Sequence, residues 1–185
     1  MTIREIVLYP EARDVLTTEC TPIEEVDEQT KQLVDDLVET MYEAQGVGLA
    51  APQIGVTKRV TVIDIRDDEG EKSEVFVLIN PEIVEREGKL TWEEGCLSFP
   101  GLYGDVERSN WVKVRALNRD GEPYEIEGEG LLAVALQHEI DHLDGVLFTH
   151  RMSGLKRRLA LKEYKKIRAR QAEEEAEEGD EEAAQ

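Results

Sequence analysis

Apolar positions four apart define the first long element. Leu33, Leu37 and Met41, with Val34, Val38 and Tyr42 beside them, form one broad stripe between 27 and about 45, the period of a helix that buries a single face. Asp27 stands just before it as the expected N-cap. The period then shortens. VTVIDI (60–65) and VFVLIN (75–80) are β-branched runs joined by the polar RDDEGEKSE, which predicts two strands and a hairpin loop. EIVERE and KLTWEE flank Gly88 as a further expected strand pair. WVKVRAL (111–117) and YEIEGEG enclose NRDGEP, with Asp120-Gly121 at the predicted turn. From 131 to about 144 the pattern is helical again, with Gly145 as the stop. A charged helix is expected from Ser153 onward. The opening IREIVLYP is expected to be extended, at an edge or packed across the body.

These elements predict an α+β fold of short, mostly antiparallel sheets around a core helix, with an N-terminal core helix and a C-terminal charged helix. No repeat or linker interrupts residues 1–150. A length of 185 residues allows one domain with a sizeable core, and an apolar share of 40% excludes wholesale disorder. No window approaches the ~18 apolar residues of a membrane span. The start, MTIREIVLYPEARD, lacks the basic-then-apolar run of a secretory signal. A cytoplasm is the expected compartment. Cys20 and Cys96 are too few for a disulfide scaffold.

Charge divides the chain into three parts. Residues 1–152 hold 14 basic and 33 acidic side chains, 153–170 hold 8 and 1, and 171–185 hold none and 8. A net charge of −20 therefore hides a basic segment between an acidic body and an acidic tail. The division predicts an acidic globular body at 1–152, a basic helix at 153–170 and a disordered tail at 171–185.

The chemistry concentrates in His138-Glu139-Ile140-Asp141-His142. Four residues at ~100° each bring the two imidazoles within ~40° around the helix axis, suited to two ligands on one metal. Leu131, Val134 and Ala135 lie one and two turns earlier, so the floor of the site is expected to be apolar. A catalytic metal needs a third ligand and an open position. Cys96, in EEGCLSFPG, is the candidate, because coordination would keep its thiol deprotonated. Cys20 has no such context. Two imidazoles and a thiolate suit zinc, iron(II), nickel or cobalt.

GVGLAAPQ (46–53), EGCLS (94–98) and QHEIDH (137–142), in that order, resemble the three motifs of the peptide deformylases. That family removes the formyl group from the N-terminal methionine of newly made bacterial proteins. The resemblance extends from IVLYP to VLF at 146–148. It implies one divalent ion, iron(II) first, held by Cys96, His138 and His142. It implies Glu139 as general acid/base, Gln53 and the Leu97 N–H as oxyanion donors, and Gly48 beside the bound peptide. Leu131, Val134 and Ala135 are the expected methionine pocket. Thr149-His150 precede Arg151-Met152 where the family commonly has an aliphatic residue and an aspartate. N-formylmethionyl nascent peptides are the expected partners of a monomer, with the ribosome a further partner through 153–170.

The physics of such a site agrees with these roles. A metal-bound water ionises near neutrality and can attack the formyl carbon, while Glu139 carries the proton to the leaving amine. Two other readings compete. An H-E-x-x-H endopeptidase recruits its third ligand downstream, where His150 is the remaining histidine. A structural zinc module docking on RNA would need four protein ligands rather than three.

Overall fold

The computed structural model describes residues 2–65 and 75–183. The expected loop at 66–74 lies outside them. The chain enters across the body without joining a strand: Val7 N–H donates to Gln53 O at 2.8 Å and Tyr9 N–H to Ser98 O at 3.0 Å. A single turn, α1 (Arg13–Leu16), buries Leu16. Asp27 then caps α2 (Glu28–Glu43), its carboxylate accepting Thr30 N–H at 2.8 Å.

Five strands form an antiparallel sheet in the order β1-β2-β3-β6-β7: β1 (Gly48–Ala50), β2 (Val60–Ile63), β3 (Phe76–Glu87), β6 (Trp111–Leu117) and β7 (Pro123–Glu129). β4 (Leu90–Gly95) and β5 (Tyr103–Arg108) pair separately. This corrects the expected pairing of EIVERE with KLTWEE. VFVLIN and EIVERE are one strand, β3, whose second half pairs with β6. Asn80 (φ 52°) and Pro81 read as a break, yet the ladder passes them with a register shift between Ile79 and Glu82, the behaviour of a bulge. Gly88 (φ +66°) then turns the chain out of the sheet toward β5.

Alternation along β2 sorts the core onto two faces. Val60 and Val62 face Val34, Leu37 and Met41 of α2. Ile63 faces the other side, with Ala133, Leu136 and Ile140 of α3 (Leu131–Leu143). The sheet therefore lies between the two helices, and α3 is buried from Ala133 to Leu143. Its histidines are embedded rather than displayed.

The last helix departs from expectation. α4 (Gly154–Ala183) runs without a break through 170 and into the acidic segment expected to be disordered. Alanine, glutamate and glutamine are strong helix formers, and no proline interrupts them. The apolar residues of α4 divide between core and solvent. Tyr164 is buried, packing 5.1 Å from the Phe99 ring, and donates its hydroxyl to Tyr9 O at 2.9 Å. Leu155 and Leu159 face solvent at 59% and 57% exposure. Tyr164→Phe should lower stability by about 1 to 2 kcal/mol, since it orphans a carbonyl while leaving the ring packing intact. Denaturant unfolding with an unchanged slope would confirm it; an unchanged midpoint would refute the anchoring role.

Candidate active site

The end of β4 meets the middle of α3 at a cleft of about 370 Å³. Donor atoms of Cys96, His138 and His142 lie within 4.8 Å of one another, the one such cluster found among the described residues. Cys96 Sγ is 3.3 Å from His142 Nε2. His138 donates Nδ1–H to Glu94 Oε2 at 2.8 Å, which fixes its tautomer and leaves Nε2 as the free donor atom. The donor set fits a divalent ion: a thiol and two imidazoles converge, and a carboxylate orients one ring from behind.

Glu94 is itself held. Arg108 grips it through Nε at 2.7 Å and Nη2 at 3.0 Å, with both side chains buried. Burial alone would push the Glu94 carboxyl up, but the bonds from Arg108 and His138 outweigh it and hold it at about 2. Burial likewise opposes charge on both histidines. His142 is pushed down, whereas Cys96 and Glu94 carry His138 upward.

Glu139, one residue after His138, points across the cleft. Its Oε2 lies 3.5 Å from the Thr61 hydroxyl, and burial pushes its carboxyl up to about 7. Gly48 in β1 backs directly onto it. A Cβ at Gly48 would stand 2.6 Å from Glu139 Oε1, so the site requires glycine for its carboxylate as well as for any peptide. β1 stands at the edge of its sheet.

Gln53 follows in a 3-10 turn (Ala51–Ile54) after β1. Its Oε1 accepts Ala50 N–H at 2.9 Å, so Nε2 must point into the site, 3.5 Å from Cys96 Sγ and 3.4 Å from Ser98 Oγ. Leu97, Leu131, Val134 and Ala135 all line the cleft. The residues expected to hold the metal, the substrate and the oxyanion therefore meet at one place. Cys20 stays apart, a buried thiol among Ala50 and Leu143, pushed up to about 11 by burial. His150 is no ligand either: its Nδ1 accepts Leu147 N–H at 3.1 Å.

Glu94, Arg108, Ser98 and Thr61 were not anticipated. Glu94 was within reach, two residues before Cys96 inside EGCLS. Ser98 closes the same motif, whereas Arg108 and Thr61 carry no local signal and only the fold brings them in.

A thiol–imidazole set open on one side to a cleft, with a carboxylate at its edge, is how proteins hold a hydrolytic metal ion. The class is that of a metal-dependent hydrolase. The sequence model of the polypeptide deformylase family matches residues 3–158. A peptide deformylase of Acidobacterium capsulatum is 54% identical over 167 residues, 90% of this chain and 96% of that one. The crystal structure of a peptide deformylase from Legionella pneumophila superposes with a TM-score of 0.83 at 50% identity, covering 92% of this chain and 98% of that one. An Acinetobacter baumannii deformylase solved with Met-Ala-Ser bound is 35% identical, with a TM-score of 0.75 and coverage of 82% and 99%. The chain belongs to the peptide deformylase family. Among the described residues, no helix is long and apolar enough to cross a membrane.

Proposed function

We propose that this enzyme hydrolyses the formyl group from N-formylmethionyl nascent peptides, releasing formate and a free amine. The observation that carries the reading is the convergence of Cys96, His138 and His142 beside Glu139 at one cleft. Cys96, His138 and His142 would hold a divalent ion, which would supply an activated water and Lewis acidity for amide hydrolysis. Glu139 takes the proton of the attacking water and returns it to the amine nitrogen as the carbon–nitrogen bond breaks. Gln53 Nε2, locked by its own carbonyl on Ala50, and the Leu97 N–H donate to the oxygen that gains charge on the formyl carbon. The peptide runs along the free edge of β1 at Gly48. The methionine side chain lies against Leu131, Val134 and Ala135; the relative solved with Met-Ala-Ser supports a methionyl ligand of this kind. Formate release from formyl-Met-Ala-Ser tests the assignment; internal peptide cleavage or an inert metal-loaded protein would overturn it.

Iron(II) is the proposed ion, with zinc, nickel and cobalt as substitutes. Turnover should be highest with iron under anaerobic conditions and fade in air, because oxygen attacks the metal and then the thiolate. Equal rates in iron- and zinc-reconstituted protein would refute this.

The proposal further assigns the enzyme to the cytoplasm, as a monomer whose α4 docks on the ribosome. Its support is the density of Lys156, Arg157, Arg158, Lys162, Lys165, Lys166, Arg168 and Arg170 on an acidic protein, an attraction to phosphate that weakens with salt. The eight acids that follow oppose it. Deleting 171–185 should leave activity on a short peptide unchanged and tighten ribosome binding at low salt. Co-sedimentation decides: if neither form pellets with ribosomes, the docking role is wrong.

A further inference from the structure

Behind the metal-ligand cluster runs a line of charges that meets the cleft only at its inner end, at Glu94 and His138. Arg151 Nη2 and Nε reach the two oxygens of Asp141 at 2.5 and 3.0 Å. Asp141 Oδ2 also accepts from Arg108 Nη1 at 2.5 Å. Arg108 holds Glu94, and Glu94 holds His138. The signs alternate along the whole line, from the surface to a metal ligand. Asp141 and Arg108 are buried, whereas the Arg151 side chain is 45% exposed. It ends a short 3-10 turn (Phe148–Arg151), three residues before α4 begins.

We propose that Arg151 is a positioning residue for the metal site, acting through Asp141 and Arg108 on Glu94 and so on His138. The physical reason is competition for one guanidinium. Arg108 is shared between two buried carboxylates, Glu94 and Asp141, and charge-assisted bonds of this kind are strong and directional. While Arg151 satisfies Asp141 with a two-bond fork, Arg108 is free to keep two bonds on Glu94. Without Arg151, Asp141 is a buried carboxylate with one cation left, and its pull on Arg108 rises. Arg108 then turns from Glu94, and the bond that fixes the His138 ring loosens. None of Arg151, Asp141 and Arg108 lines the cleft, so the effect reaches the ion without touching the peptide. The line also ties the root of α4 to the metal site.

This inference rests on the metal-site reading of Cys96, His138 and His142, and the experiment separates the two. Full-length apoprotein is loaded with Co(II), and affinity is measured by chelator competition alongside the visible absorption of the bound ion. In Arg151→Met, Co(II) affinity should fall about 10-fold, the scale of lost outer-shell support, and the absorption bands should shift. kcat should drop with KM for formyl-Met-Ala-Ser unchanged. Arg151→Lys, which keeps the charge but not the fork, should recover part of the affinity; it also serves if the Met variant folds poorly. Adding Arg151→Met to Asp141→Asn should cost little more than Asp141→Asn alone. Unchanged affinity and bands with a lowered melting temperature would reduce Arg151 to a brace for α4, and additive losses would overturn the route through Asp141. Failure of the unsubstituted protein to bind Co(II) overturns the site reading itself.

Discussion

Glu139→Gln should abolish most turnover, by ~10² to 10⁴-fold, because an amide neither takes nor returns a proton. The fold should survive. Glutamine matches the shape of glutamate, and the side chain belongs to no ion pair among the described residues, its polar contact being the long one to the Thr61 hydroxyl. An amide is also easier to bury than a carboxylate, so at and above pH 7, where Glu139 ionises, the melting temperature should hold or rise. Metal content should hold as well, since the proposed donors are Cys96, His138 and His142. Formate release and metal analysis on the same preparation check both halves. Retention of more than about a tenth of the rate would move the acid/base role to another group, given what such groups contribute.

Gly48→Ala should cost about 10²-fold in kcat, and for a reason that motif reading does not supply. The new methyl would lie 2.6 Å from Glu139 Oε1 and 2.9 Å from its Cγ and Cδ. The carboxylate must move aside, and a displacement of about 1 Å at a reacting group costs ~10²-fold. Glu139→Gln/Gly48→Ala should then lose little beyond Glu139→Gln, because the substitution acts on a group already disabled. Gly154→Ala is the control: nothing lies within 4 Å of its added carbon, and its activity should be unchanged. A rise in KM with kcat intact would show that Gly48 serves only to admit the peptide.

Much of this site was legible in the sequence because its groups sit in short local patterns. The spacing of His138 and His142 needs only the helical period, and Cys96 stands out in a chain with two cysteines. The apolar residues one and two turns ahead of His138 follow from the same period, and the structure sets Leu131, Val134 and Ala135 on the cleft wall. What misled was punctuation. Asn80-Pro81 looked like the end of a strand, but Asn80 bonds Ile23 through both ends of its amide and the strand bulges past. The acidic run after 170 looked disordered by charge, although its residue types favour the helix that continues there.

Taken by itself, the sequence determined the antiparallel α+β class and the two core helices and picked out His138, Glu139 and His142, all from short local spacings, with Cys96 offered by its place in EGCLS. The tertiary structure alone decided the pairing of β3 with β6 and of β4 with β5, the approach of Gly48 to Glu139, and the line from Arg151 to His138. Arg151 and Arg108 lie 43 residues apart in the chain and meet through one carboxylate. No period links such residues. Their contact exists only because a sheet and a buried helix bring distant backbone together, and the bonds they form depend on burial that no local pattern encodes.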